Sequence, residues 1–232
     1  MPSWGKQAWA VVLFAAAGIG CQAVLPQPQA AHRTALSTSD ALSLADDFFL
    51  TQNRSDRYNP AQPPGSNANC GPASLAMALK AFGREPKDLA APAQAHDLVK
   101  YVRKVMTGAQ NEQTWTYPSQ VEHGAQLLGL KAELVFSSRK ILEAMQEPGR
   151  MVVVNLNPTP AYVDQLTVPY DGGHFALVTA VNGQQICLND PLAAHPINIS
   201  QAQLDEALTT SLGTDPYGRM VPAYNGGVAL SP

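Results

Sequence analysis

Charge is scarce in this chain. Lys, Arg, Asp and Glu make up 14% of its 232 residues, and 15 cations against 18 acids leave a formal charge of -3. A nucleic-acid binder needs surplus positive charge to neutralise phosphates, so the composition argues against that class. Side-by-side basic residues occur only at Arg103-Lys104 and Arg139-Lys140, which read as solvated helix faces. Cysteine is scarcer still. The chain has three, with no CxxC or HExxH spacing, which argues against structural zinc and a metalloprotease centre. No phosphate-cradling glycine loop, heptad array or internal repeat occurs, and the 17 Gly and 19 Pro are scattered. What remains is a 45% hydrophobic chain, enough for one globular core without disulfide staples.

Long apolar runs are also missing, apart from Ala8 to Gly20 behind the single early cation Lys6. That run falls short of the roughly 20 residues a bilayer span needs, so it reads as a secretory signal over residues 1–20 rather than a retained span. Gly18-Ile19-Gly20-Cys21 resembles a bacterial lipobox, which implies lipidation of Cys21 and an exported, membrane-anchored protein at the cell envelope. Simple cleavage before Ala31 is the alternative. Residues 21–36, with LPQPQAAH at Leu25 to His32, read as a tether, and the domain is expected over 37–232.

Within the domain, Ser37 to Asp40 offer caps for a helix bearing Leu42, Leu44, Ala45, Phe48 and Phe49, followed by a loop from Thr51 to Asn69. Cys70-Gly71-Pro72 opens a second helix. Its apolar residues Leu75, Ala78, Leu79 and Phe82 recur at helical spacing, and Gly83 stops it. Further helices are predicted over His96–Met106 (Leu98, Tyr101, Val102 and Val105 in register), over Pro118–Leu128 (capping box Ser119/Glu122) and over Arg139–Gln146. Strands are predicted at Lys131–Phe136, Arg150–Leu156, His174–Val181 and Gln185–Asn189, the last two joined by the hairpin signal Asn182-Gly183. A closing helix follows Ser200, with Gln203 completing its cap. Helices first and antiparallel strands afterwards define an α+β domain.

Three residues carry the chemistry. Cys70 opens a helix, where the macrodipole favours a thiolate, the nucleophilic form of the side chain. His174 starts one strand of the Asn-Gly hairpin and Asp190 ends the other, so the two can approach each other. An imidazole beside a thiol, held in its tautomer by a carboxylate, is the arrangement for nucleophilic acyl chemistry. A rival outcome is a disulfide between Cys70 and Cys187. Against it, Cys187 alternates to the strand face opposite Asp190 and so points away from Cys70.

Asn69-Cys70-Gly71-Pro72-Ala73-Ser74-Leu75-Ala76-Met77, Gly173-His174-Phe175-Ala176-Leu177-Val178 and Asn189-Asp190-Pro191 resemble three blocks of the papain-like peptidases related to the double-glycine leader peptidases of bacteriocin exporters. The resemblance covers about Gln52 to Leu192. It implies a papain-like α+β fold, with the cysteine helix packed on an antiparallel sheet. It also implies Cys70 as nucleophile, His174 as general base and acid, Asp190 as the residue orienting the ring, and an upstream glutamine as oxyanion donor. The position six before Cys70, common for it in papain-like enzymes, is Pro64; Gln52 with Asp56, Arg57 and Tyr58 resembles, in stretched form, the Gln-x-Asp-x-Arg-Trp/Tyr segment of relatives with a longer loop, which implies Gln52 as the donor, with Gln62 as its rival. The expected activity is hydrolysis of peptide bonds through a thioester, with a peptide or protein as substrate and no cofactor. A catalytically silent peptide-binding module and an acyltransferase using the same triad are the alternatives.

Overall fold

The computed structural model describes residues 47–52, 68–91, 95–108, 114–157, 162, 164–166, 173–208, 212–214, 218, 220–222 and 226–232. The expected leader and tether, Cys21, most of the expected first helix, and Gln62 lie outside these residues.

Helix α1 (Cys70–Ala81) starts at the predicted cysteine and ends as glycine geometry dictates. Gly83 takes φ +61°, its N–H donates to the Lys80 carbonyl, and the Arg84 N–H reaches back to the Leu79 carbonyl. Together these bonds make a Schellman closure. All residues from Cys70 to Leu79 are buried, so α1 is a core helix covered on every side. Helix α2 (Ala95–Thr107) lies against it. Its buried stripe is Leu98, Val99, Val102, Arg103 and Met106, rotated from the expected register, and Tyr101 is exposed. Helix α3 (Pro118–Leu127) begins one residue before the expected cap. Gln120, not Glu122, closes its first turn by accepting from the Tyr117 N–H at 3.1 Å.

Strand β1 (Lys131–Phe136), helix α4 (Ser138–Gln146) and strands β2 (Met151–Leu156), β3 (His174–Asn182) and β4 (Gln185–Asn189) follow close to their predicted bounds. Arg139 and Lys140 are exposed and pair with Glu143, as a solvated helix face should. Strand β5 (Ile197–Ser200) and helix α5 (Gln201–Ala207) come next. The Ser200 hydroxyl caps α5 by accepting from the Gln203 N–H, while the Gln203 side chain accepts from the Ser200 N–H. Strands β6 (Leu212–Thr214) and β7 (Met220–Pro222) form a separate two-stranded pair, and β8 (Gly226–Ser231) closes the chain.

The main sheet runs β1-β8-β2-β3-β4-β5, antiparallel throughout. Its centre is apolar on both faces, which is why β2, Met-Val-Val-Val-Asn-Leu, is buried at all six positions and shows no alternation. Met151, Val153, Phe175, Leu177, Val228 and Leu230 share one core layer with α1, α2 and α3. Val152, Val154, Leu156, Ala176, Val178, Ile186 and Leu188 form the other with α4 and α5. Each fully buried side chain of this kind stabilises the fold by about 1.5–3 kcal/mol before chain entropy is counted. The α+β class is as expected, with a second helical layer added.

Candidate active site

The site forms where α1 meets the end of the β3–β4 hairpin. Cys70 is the first residue of α1, a free thiol and buried. The rival outcome, a disulfide between Cys70 and Cys187, is therefore absent, as the alternation of Cys187 to the other strand face argued. Cys187 packs with Ala180, its register partner in β3, apart from the core layer that holds Cys70.

His174 and Asp190 are both fully buried, and the His174 Nε2 lies 2.8 Å from Asp190 Oδ1. Their meeting depends on an irregularity. In a regular hairpin with a two-residue turn, same-face residues are separated by an odd number of positions, whereas His174 and Asp190 are 16 apart. A bulge at Thr179 shifts the register, so that Val181 pairs with Ile186 but Val178 pairs with Leu188. Carried one step beyond the last pair, Leu177 with Asn189, the shifted ladder sets Asp190 opposite Ala176, diagonal to His174 and on its face.

Asp190 is itself held on several sides. The Leu192 N–H donates to Oδ1 at 2.7 Å, and the Tyr162 hydroxyl donates to Oδ2. Burial first, then the charge of Asp190, holds the Tyr162 phenol well above its ordinary pKa, so it remains a donor. For His174, burial pulls the ring pKa down, but the Asp190 charge and hydrogen bond, with Cys70 adding to them, outweigh burial and raise it to about 10. The ring thus lies against the Cys70 sulfur as well as Asp190. With Nε2 turned to Asp190, the other ring nitrogen is the one available to the thiol.

Gln52 is buried, and its N–H donates to the Pro191 carbonyl at 2.9 Å, as does the Thr51 hydroxyl. This fixes Gln52 beside the Asp190 turn. Cys70, His174, Asp190 and Gln52 are therefore all brought to one end of the sheet.

Two participants escaped sequence reading. Tyr162 lies between β2 and β3 in a proline-containing stretch without periodicity, so nothing marked it. Arg103, expected on a solvated face, is fully buried. Its Nε donates to Asn69 Oδ1 at 2.6 Å, Nη1 to the Thr114 carbonyl at 3.0 Å, and Nη2 to the Ala68 carbonyl. The signal was present: Arg103 stands four after Val99 and three before Met106, on the buried stripe of α2. Among the described residues no group of three or more His, Cys, Asp or Glu could hold a metal ion, and no helix is long and apolar enough to cross a membrane.

An antiparallel sheet with a core helix that presents a thiol to a histidine–carboxylate pair defines a class: α+β proteins with a Cys-His-Asp constellation. The particular family follows from the sequence match. The profile of the Peptidase_C39 like family covers residues 49–208, and the chain belongs to that family. No curated protein matches it. Among solved structures it is similar to the peptidase domain of Streptococcus ComA, a bi-functional ABC transporter, at 14% identity and TM-score 0.46 over 71% of this chain and 92% of that one. It is also similar to a double glycine motif protease from an AMS/PCAT transporter in complex with the leader peptide, at 18% identity and TM-score 0.40, covering 70% and 81%. A Bacillus anthracis protein described as a C39-like peptidase matches at 14% identity and TM-score 0.48, covering 82% and 96%.

Proposed function

We propose that this chain is a cysteine peptidase that cleaves peptide bonds through a Cys70 thioester, exported and anchored to the cell envelope through Cys21. The observation that carries the catalytic reading is the buried Cys70–His174–Asp190 contact chain, in which Asp190 occupies one ring nitrogen and leaves the other to the sulfur. The export reading rests on the Ala8 to Cys21 pattern alone.

The steps follow from the residues present. A ring whose pKa is raised to about 10 is imidazolium at neutral pH, so the Cys70–His174 pair is suited to the thiolate–imidazolium state. The thiolate attacks the carbonyl carbon, and the developing oxyanion is met by the Cys70 N–H at the start of α1 and by the Gln52 side-chain amide. His174 gives its proton to the leaving amine as the C–N bond breaks. It then takes a proton from water, whose oxygen attacks the thioester carbonyl and releases the acid and the thiol. Asp190 holds the ring orientation throughout.

Replacing Cys70 with Ala should abolish peptide hydrolysis while leaving the far-UV circular dichroism spectrum unchanged. Hydrolysis persisting in that variant would end the proposal. Replacing Gln52 with Ala should lower kcat by about 10² to 10³ with little change in KM, as loss of an oxyanion donor does.

A further inference from the structure

A guanidinium with no solvent exposure is costly, and a methionine or leucine at that position of the α2 stripe would pack without that penalty. Three of its donors go to two segments that flank the cysteine. Two donors go to the residues just before Cys70, to the Ala68 carbonyl and the Asn69 side-chain oxygen. The third goes to the Thr114 carbonyl.

Both contacts bear on the site. Asn69 stands at the N-cap of α1, where its oxygen would ordinarily accept from the first-turn amides, yet no side chain caps this helix. That oxygen is committed to Arg103 instead. The Thr114 bond secures the stretch leading to Thr116, which packs so tightly on the residue after the cysteine that a Cβ at Gly71 would fall 2.5 Å from Thr116 Oγ1. One planar cation therefore ties the segment entering Cys70 to the segment lying over Gly71. A lysine has the charge but not the fork, and cannot serve three acceptors at these separate directions.

We propose that Arg103 is a positioning residue for the nucleophile, acting through Ala68, Asn69 and the 114–116 stretch to fix where Cys70 enters α1 and where its sulfur stands relative to His174. This rests on the peptidase reading for its relevance to turnover, but its geometric content concerns the reactivity of Cys70 itself. The test therefore measures carbamidomethylation of Cys70 by iodoacetamide at fixed neutral pH, with mass mapping, beside peptidase kinetics and thermal unfolding. Arg103→Lys should slow alkylation and lower kcat together by about 10- to 100-fold, the penalty of a displaced reacting group, with KM held. Asn69→Ala, which removes one of the three acceptors, should give a smaller loss of about threefold in both rates. Should Arg103→Lys fail to fold, the Asn69→Ala result decides. Alkylation at the wild-type rate in a folded Arg103→Lys protein, or in Asn69→Ala when only that variant folds, overturns the inference and leaves Arg103 a core-stabilising residue. Wild-type Cys70 reacting no faster than glutathione would instead contradict the peptidase reading, while a difference between wild type and Arg103→Lys would still uphold the positioning.

Discussion

At the scale of residues, the Asp190 carboxylate decides how the site responds to pH. The folded-state pKa of His174 is raised from 6.5 to about 10, so its stabilising contribution is fully present below pH 6.5 and is lost as pH rises through about 10. The melting temperature of the wild-type domain should accordingly fall between pH 7 and 10. With Asp190→Ala only burial and Cys70 act on the ring, burial dominates, and this alkaline decline should vanish; thermal melts across that window check it. Tyr162→Phe removes one donor from the same carboxylate and keeps the ring in place. A hydrogen bond to a charged group of this kind should be worth about tenfold in kcat. In an Asp190→Ala background the same change should add almost nothing, because the hydroxyl works through Asp190.

Elements show why parts of this arrangement were legible and parts were not. Cys70-Gly71-Pro72 and Gly83 bound a helix through local rules, and Ser200 with Gln203 spelled a cap, so α1 and α5 could be placed from a few neighbouring residues. The Asn182-Gly183 turn likewise set the β3–β4 hairpin, with Gly183 at φ +59°. The Thr179 bulge could not be read, since a single inserted residue has no compositional mark, although it puts His174 and Asp190 on one face. Arg103 was misplaced because adjacent basic residues usually face water; only its spacing from Val99 and Met106 argued otherwise. Ser200→Ala removes a cap remote in sequence from the thiol and should cost about 1 kcal/mol, seen as a lower melting temperature with unchanged kcat.

For the whole molecule, the decisive element is the last one. β8 is built from a glycine-containing segment with no strand alternation, and it lies inside the sheet between β1 and β2. Its glycines admit close neighbours: a Cβ at Gly227 would sit 2.4 Å from the Val153 carbonyl oxygen, and one at Gly226 would sit 2.7 Å from that of Val135. Such positions read as weak strand in sequence, because glycine lowers intrinsic propensity, and only the third dimension supplies the reason for them. Gly227→Val should therefore destabilise the domain by about 1–3 kcal/mol, as overpacking does. Removing residues 226–232 would leave β1 without a partner and expose the edge of β2, so that protein should lose its cooperative thermal transition.

The proposed chemistry rests on one sulfur, that of Cys70. Its role is tested most directly by mixing the protein with a cleavable peptide, quenching with acid during turnover, and mapping acyl adducts by mass spectrometry. The account predicts the N-terminal product fragment attached to Cys70 as a thioester, absent from Cys70→Ala. Continued cleavage with no adduct on Cys70, or an adduct on a different side chain, would contradict it.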